Sequence, residues 1–143
     1  MAHMAELLYQ IKQTNQVITD LFEERLGISL TRYQLLCQLL EVFPCSQQVL
    51  QEQLQIDRAA IARHIKLLEV GGYIERHRNP SNQREMVVSP SSKTIRELQL
   101  SPSPYHLAVQ EAMEQILTEE EKHQLQALLD KVWNGLSQIP LDQ

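Results

Sequence analysis

Residues 57–72, with the sequence DRAAIARHIKLLEVGG, predict a helix that has one apolar side and one basic side. Asp57 is a suitable N-cap because its carboxylate accepts hydrogen bonds from the free amides of the first turn. Gly71-Gly72 favours termination of the helix. At about 100° per residue, three branched apolar side chains fall on the side that we expect to pack on the domain. They are Ile61, Ile65 and Leu68.

The opposite side of this predicted helix combines small and basic side chains. Alanine permits close approach to base edges, and Arg bonds bidentately to guanine, so this side suits the major groove of duplex DNA. Residues 46–54 predict the preceding helix of a helix-turn-helix, which would cross the DNA backbone and connect through Gln55-Ile56. The predicted DNA contacts of the second helix are Arg58, Ala59, Ala60, Ala62, Arg63, His64 and Lys66.

A basic hairpin is predicted directly after the two glycines. Residues 73–78 and 85–88 have the β-branched and aromatic content of strands, and they flank the turn-rich segment Asn79-Pro80-Ser81-Asn82. The alternative is an ordinary surface hairpin with solvated charges. Because the predicted hairpin directly follows a basic helix, we favour the wing of a winged helix. Arg84 is best placed to enter the adjacent minor groove, where the potential is negative. The predicted DNA contacts of the wing are Arg76, Arg78 and Arg84.

Positive charge is concentrated in this part of the chain. The 143 residues carry a net charge of −5, whereas residues 57–84 contain six Lys and Arg against three acids, a net charge of +3. Phosphate neutralisation is local, so an acidic protein can bind DNA through a basic face. The length suits a single core, and there is neither an apolar run of about 18 residues nor a basic, hydrophobic leader. We therefore expect a cytoplasmic protein that does not enter the membrane.

The helical segments at both ends predict a dimer. Residues 5–26 and 105–139 carry more apolar face than one small winged domain can cover, with Trp133 as an anchor. We predict a mainly α fold with a small β wing, a winged helix-turn-helix with N- and C-terminal dimerisation helices. Residues 5–28 and 105–143 would dimerise, 29–92 would bind DNA, 93–104 would form a connector with a short helix, and 1–4 are typical of a tag remnant and start. The predicted dimer contacts are Leu7, Ile11, Leu129, Val132, Trp133 and Leu136.

Two capping boxes are predicted. Thr31 with Gln34 would open one helix, and Thr118 with Glu121 would open the last helix. The acidic run 119–121 favours the positive end of the helix macrodipole. We therefore interpret this run as caps rather than as a catalytic or metal-binding cluster.

Several of these segments together resemble the MarR family of bacterial transcriptional regulators. They are residues 30–36, which open the second helix, 56–69 as recognition helix, 72–76 entering the wing, and 117–121, which open the last helix. The resemblance implies a homodimer that binds a pseudo-palindromic operator, usually represses nearby genes and is released by a small ligand or an oxidant. It also implies contacts to DNA from Arg58, Ala59, Ala60 and Arg63, and from Arg84 at the wing tip.

Two positions depart from the family pattern. Asn82 stands where the wing usually has an Asp two residues before its arginine, which would weaken an ion pair that orients the tip. Residues 88–93 replace the usual Leu-Thr and Gly after the second wing strand, so the start of the next helix is left open.

The residues leave the sensing chemistry open between a ligand and a thiol. Cys45 would lie at a helix N-terminus, where the helix dipole lowers a thiol pKa, so it is the candidate for oxidant sensing. Cys37 is interpreted as a core thiol, with redox activity as the alternative. A small ligand would bind between the dimer region and the winged domains. The aromatic side chains expected to line that pocket are Tyr9, Phe22, Tyr33 and Trp133.

No cofactor, metal ion or enzymatic activity is predicted. His64, His77, His106 and His123 lack metal-ligand spacing, and no nucleophile motif or phosphate-binding loop is present. A winged helix that binds another protein instead of DNA is the remaining alternative. It would require Arg58, Arg63 and Arg84 to be paired with the protein's own acids.

Overall fold

The computed structural model describes residues 1–141, in two compact units, the first ending at Ser103 and the second beginning at Pro104. The first unit contains helices α1 (Met4–Leu21), α2 (Leu30–Glu41), α3 (Gln47–Leu54), α4 (Arg58–Val70) and α5 (Ser92–Ile95) and strands β1 (Cys45–Ser46), β2 (Ile74–Asn79) and β3 (Asn82–Pro90). Single π-helical turns extend α1 through Phe22–Leu26 and α5 through Arg96–Leu100. The second unit contains α6 (Pro104–Glu114) and α7 (Glu119–Ser137). The predicted dimerisation range extends to Asp142 and Gln143, which lie outside the described residues.

The core of the first unit is built from α2, α3, α4 and the sheet. The three strands are antiparallel in the order β1-β3-β2, with Cys45 opposite Val88 and Ile74 opposite Pro90. Leucines of α2 and α3 and the apolar side of α4 pack together beneath this sheet. The buried cluster contains Leu35, Leu36, Leu39, Cys45, Leu50, Ile61, Ile65, Leu68, Ile74 and Val88. The predicted winged helix-turn-helix with mainly α content is therefore confirmed.

Of the two predicted capping boxes, one is confirmed and the other is wrong. Thr118 Oγ1 accepts a hydrogen bond from Glu121 N, and Glu121 Oε1 accepts one from Thr118 N, so the capping box of α7 is confirmed. The box at Thr31 is wrong, because Ser29 Oγ accepts from Arg32 N and α2 begins two residues earlier than predicted. Both hydroxyl residues are good N-caps, and the sequence alone did not decide between them.

The segment after the wing also differs from the prediction. The second wing strand continues to Pro90, and Ser91 caps a helix that begins at Ser92, before the predicted short helix. The two-residue strand β1 was not predicted; it exists because it pairs with the extended part of β3. Cys45 consequently lies in a strand, directly before Ser46, the N-cap of α3.

Candidate DNA-binding surface

Helix α4 presents the predicted basic side to solvent. Asp57 Oδ1 accepts a hydrogen bond from Ala60 N at 2.7 Å, which confirms the predicted N-cap. The predicted apolar side is buried, with Ile61 and Ile65 fully inaccessible, so the opposite side must face outward. The exposed residues are Arg58, Ala59, Ala62, Arg63 and Lys66, and the half-buried ones are Ala60 and His64.

His64 is held by a residue that sequence analysis missed. Arg32 Nη1, from the first turn of α2, lies 3.4 Å from His64 Nδ1. Burial, followed by the positive charges of Arg32 and Arg63, lowers the pKa of His64. The neutral imidazole can therefore accept from Arg32 at Nδ1 and donate outward from Nε2. The contact joins residues 32 positions apart, and no local sequence pattern points to it.

A groove brings the start of α4 and the wing together. It has a volume of about 640 Å³, and both Arg58 and Arg84 line it. The α3 wall is mostly uncharged and carries several glutamines. Two acids, Glu52 and Glu85, also line the groove. The glutamines of this wall are Gln47, Gln48 and Gln51.

Side-chain amides shape the wing tip. Asn79 Oδ1 accepts from Ser81 N at 2.9 Å, and Asn82 Oδ1 accepts from Arg84 N at 3.2 Å. Arg78 Nη1 donates to the carbonyl oxygen of Gln83 at 2.9 Å, so this cation is directed back at the hairpin. Asn82 thus orders the tip through the backbone of Arg84, and the Arg84 side chain is exposed.

Arg76, one of the residues predicted to contact DNA, pairs with an acid of the chain. Its Nη2 and Nε atoms donate to the Glu69 carboxylate at 3.0 and 3.3 Å. This bond joins β2 to the last turns of α4. In contrast, within residues 1–141 Arg58, Arg63 and Arg84 form no ion pair with a carboxylate.

Neither cysteine has the surroundings of an activated thiol. Burial raises the pKa of Cys45, so the predicted lowering of its pKa is wrong; its side chain is buried in the core, although the residue directly precedes the N-cap of α3. Burial also raises the pKa of Cys37, against a hydrogen bond with Tyr33 that lowers it, while the charge of Glu41 raises it further. Both thiols are therefore protonated at neutral pH, which disfavours reaction with peroxide.

The predicted pocket residues are placed differently from one another. Phe22 is buried and meets Tyr33 edge to face, with ring centroids 5.5 Å apart. Tyr9 on α1 is 60% exposed, and Trp133, in the second unit, is 57% exposed. The structure therefore brings two of the four aromatic residues together within the first unit.

The predicted dimer contacts leave apolar surface open in each unit. On α1, Leu7 and Ile11 are each 43% exposed. On α7, Leu129, Trp133 and Leu136 are exposed and Val132 is half-buried. No described residue of α6 or α7 is buried. These helices therefore carry apolar faces that their own unit does not cover.

Two acids at the start of α7 bond groups of the same unit. Lys122 Nζ donates to Glu119 Oε1 at 2.8 Å and also bonds the carboxylate of Glu114. This hydrogen bond to Lys122 lowers the pKa of Glu119. Glu119 and Glu121 are thus used in helix capping and pairing, as predicted from their position.

The fold and this surface define a winged-helix DNA-binding protein, and the comparisons give its family. The model of the MarR family matches residues 28–86. The uncharacterized HTH-type transcriptional regulator YdgJ of Bacillus subtilis (strain 168) is 33% identical over 135 residues, covering 94% of this chain and 82% of that protein. The chain belongs to the MarR family and is a transcriptional regulator that binds DNA.

Solved structures agree with this assignment. A probable transcriptional regulator from Pseudomonas aeruginosa is 27% identical, with a TM-score of 0.73, over 88% of this chain and 96% of that one. Reduced AbfR bound to DNA has a TM-score of 0.74 and 20% identity, over 94% of both chains, and shares the fold. In residues 1–141, no helix combines the length and apolar character that crossing a membrane requires.

Proposed function

We propose that this protein is a homodimeric repressor that inserts α4 into the major groove and the wing into the adjacent minor groove of a pseudo-palindromic operator. The observation that carries the proposal is the set of unpaired arginines Arg58, Arg63 and Arg84 on the α4 and wing surfaces. The alternative of a protein-binding winged helix would require these arginines to be paired with acids of the chain. AbfR and the S. aureus regulator MepR, which share the fold with TM-scores of 0.74 and 0.70, have been solved as DNA complexes.

The second part of the proposal is the dimer. The exposed apolar faces of α1 and α7 need a partner surface, and a second copy of the chain offers the same faces about a two-fold axis. A two-fold dimer places two recognition helices in successive major grooves, about 34 Å apart. This spacing accounts for a palindromic target.

The third part of the proposal is release by a small ligand. The raised pKa values of both thiols favour a ligand over an oxidant as the signal. The solved PcaV regulator of Streptomyces coelicolor, which has this fold, holds its natural ligand. A ligand releases DNA only if it binds better to a dimer whose recognition helices are wrongly spaced. In the first unit, the proposed pocket would use the edge-to-face pair of Phe22 and Tyr33 as its aromatic lining.

The test begins with selection of a duplex from a randomised 40-base-pair library by the wild-type protein. We expect an inverted repeat whose half-sites are about one helical turn apart, bound by a dimer in sedimentation velocity. A selected site without two-fold symmetry, bound by a monomer, would contradict the dimeric repressor. Equal affinity for the selected duplex and a shuffled duplex would contradict sequence-specific recognition.

A further inference from the structure

We propose that Glu69 and Arg76 are positioning residues, whose ion pair fixes the wing relative to the recognition helix. The inference rests on the proposed function, because it concerns how Arg84 reaches DNA. It assigns Arg76 an indirect role, in place of the direct DNA contact expected from its charge.

The junction between α4 and β2 needs such a restraint. Gly71 and Gly72 form the turn, and Gly72 has a φ of +79°, in the left-handed region that favours glycine. Glycines provide no side-chain contacts of their own to hold a turn. The direction in which the wing leaves the helix therefore depends on bonds that span the turn.

The Glu69–Arg76 pair spans it with defined geometry. Two guanidinium nitrogens bond the two carboxylate oxygens at 3.0 and 3.3 Å, a bidentate arrangement that restrains orientation as well as distance. Arg76 lies opposite Val88 in the wing register. The pairing of β2 with β3 is regular from Ile74 to Arg78, opposite Met86, and its register shifts beyond that point. A restraint on Arg76 therefore acts on the regular part of the wing, which ends two residues from Arg84.

Inside the same turn, a second set of bonds fixes its backbone. Ser91 Oγ donates to the carbonyl oxygen of Gly72, and Thr94 Oγ1 donates to that of Tyr73, both at 2.7 Å. These bonds hold the base of the turn, at the end of the hairpin opposite to its tip. The ion pair acts on the outer side, where Glu69 and Arg76 are each about one-third exposed.

Substitution of Glu69 changes the affinity for DNA in opposite directions, depending on whether Glu69 acts only through its charge or positions the wing. Removing an acid near a DNA-binding surface strengthens binding if charge alone matters, because phosphate repulsion falls. If Glu69 positions the wing, Glu69→Gln weakens binding instead. The matched control is Glu75→Gln, which removes an equal charge at the exposed neighbour of Arg76. The Glu75 side chain has no hydrogen-bond or ion-pair partner among the described residues.

The experiment measures the affinity of each variant for the duplex selected by the wild-type protein. We expect Glu69→Gln to weaken binding about fivefold, since a dimer carries the pair twice, and Glu75→Gln to leave it unchanged or strengthen it. The exchanged pair Glu69→Arg with Arg76→Glu should recover most of the affinity lost by Arg76→Glu alone. Adding Arg84→Ala to Glu69→Gln should cause little further loss, because both changes remove the same wing contact.

A second measurement does not depend on DNA. In free protein, amide hydrogen exchange along residues 74–90 should accelerate in Glu69→Gln and stay at the wild-type rate in Glu75→Gln. Stronger binding by Glu69→Gln, or wild-type exchange along the wing, would overturn the positioning role. A wild-type protein that selects no duplex, combined with faster wing exchange in Glu69→Gln, would reject the proposed function and leave the restraint on the wing intact.

Discussion

The winged part of the first unit and the α6–α7 unit differ in how far their apolar side chains are buried. In the winged part, leucines and isoleucines such as Leu36 and Ile65 are almost completely buried within one chain. In α7, Leu129 and Leu136 remain about half exposed and no residue is buried. Burial of apolar surface is the dominant favourable term in folding, so the first region has a core of its own, whereas the second leaves apolar surface uncovered. The contrast supports the proposed division between DNA recognition in the winged part and dimerisation through α7.

The largest expected effect comes from placing a charge on the α7 face. Leu129→Glu should convert the dimer into a monomer and lower operator affinity by about two orders of magnitude, because the two half-sites are no longer bound by one particle. Sedimentation velocity and operator titration measure the two effects. Asn134→Glu, on the polar side of the same helix, is the control. A Leu129→Glu protein that remains dimeric would remove the basis of the comparison.

A cavity in the winged core should act on stability. Leu36→Ala should lower the free energy of unfolding by about 2 to 5 kcal/mol, because Leu36 is only 1% exposed and the cavity cannot collapse fully. Urea unfolding followed by circular dichroism measures it. Leu67→Ala, at a half-exposed position of α4, should cost much less. Equal losses for the two variants would show that the core does not carry the stability of this region.

The exposed side of α4 should affect binding and leave stability unchanged. Arg63→Ala should weaken operator binding by about 1 to 3 kcal/mol and relax the sequence preference, because Arg63 is exposed on the predicted outward face. Titration with the selected and the shuffled duplex measures both. An equal loss on the two duplexes would identify Arg63 as a phosphate contact.

The smallest expected effect is the pH dependence at His64. Its pKa is lowered in the folded protein, so the neutral form is favoured and its contribution to stability is present above the unfolded value of about 6.5. That contribution is lost as pH falls through 6.5 toward the lower folded pKa. His64→Gln should therefore flatten the loss of stability on acidification, whereas His77→Gln, at an exposed wing position, should not. Parallel unfolding curves against pH for wild type and His64→Gln would contradict the prediction.

Local patterns predicted the recognition helix well. Asp57, the buried positions of α4 and the cap of α7 were confirmed because each depends on residues within one or two turns of helix. Predictions that needed a choice between equal local signals were less successful, as at Ser29 and Thr31. The extent of β3 was underestimated, since its pairing with β1 joins residues more than 40 positions apart.

The sequence by itself determined the class of the protein: helical periodicity, caps and the position of the basic residues specify a winged helix before any coordinate is known. Only the tertiary structure decided the environment of individual side chains. It placed Cys45 in a buried strand, Arg32 against His64 and Arg76 on Glu69. The physical reason is that periodicity and capping act between near neighbours in the chain, whereas pKa values and ion pairs depend on which distant segments pack against a side chain.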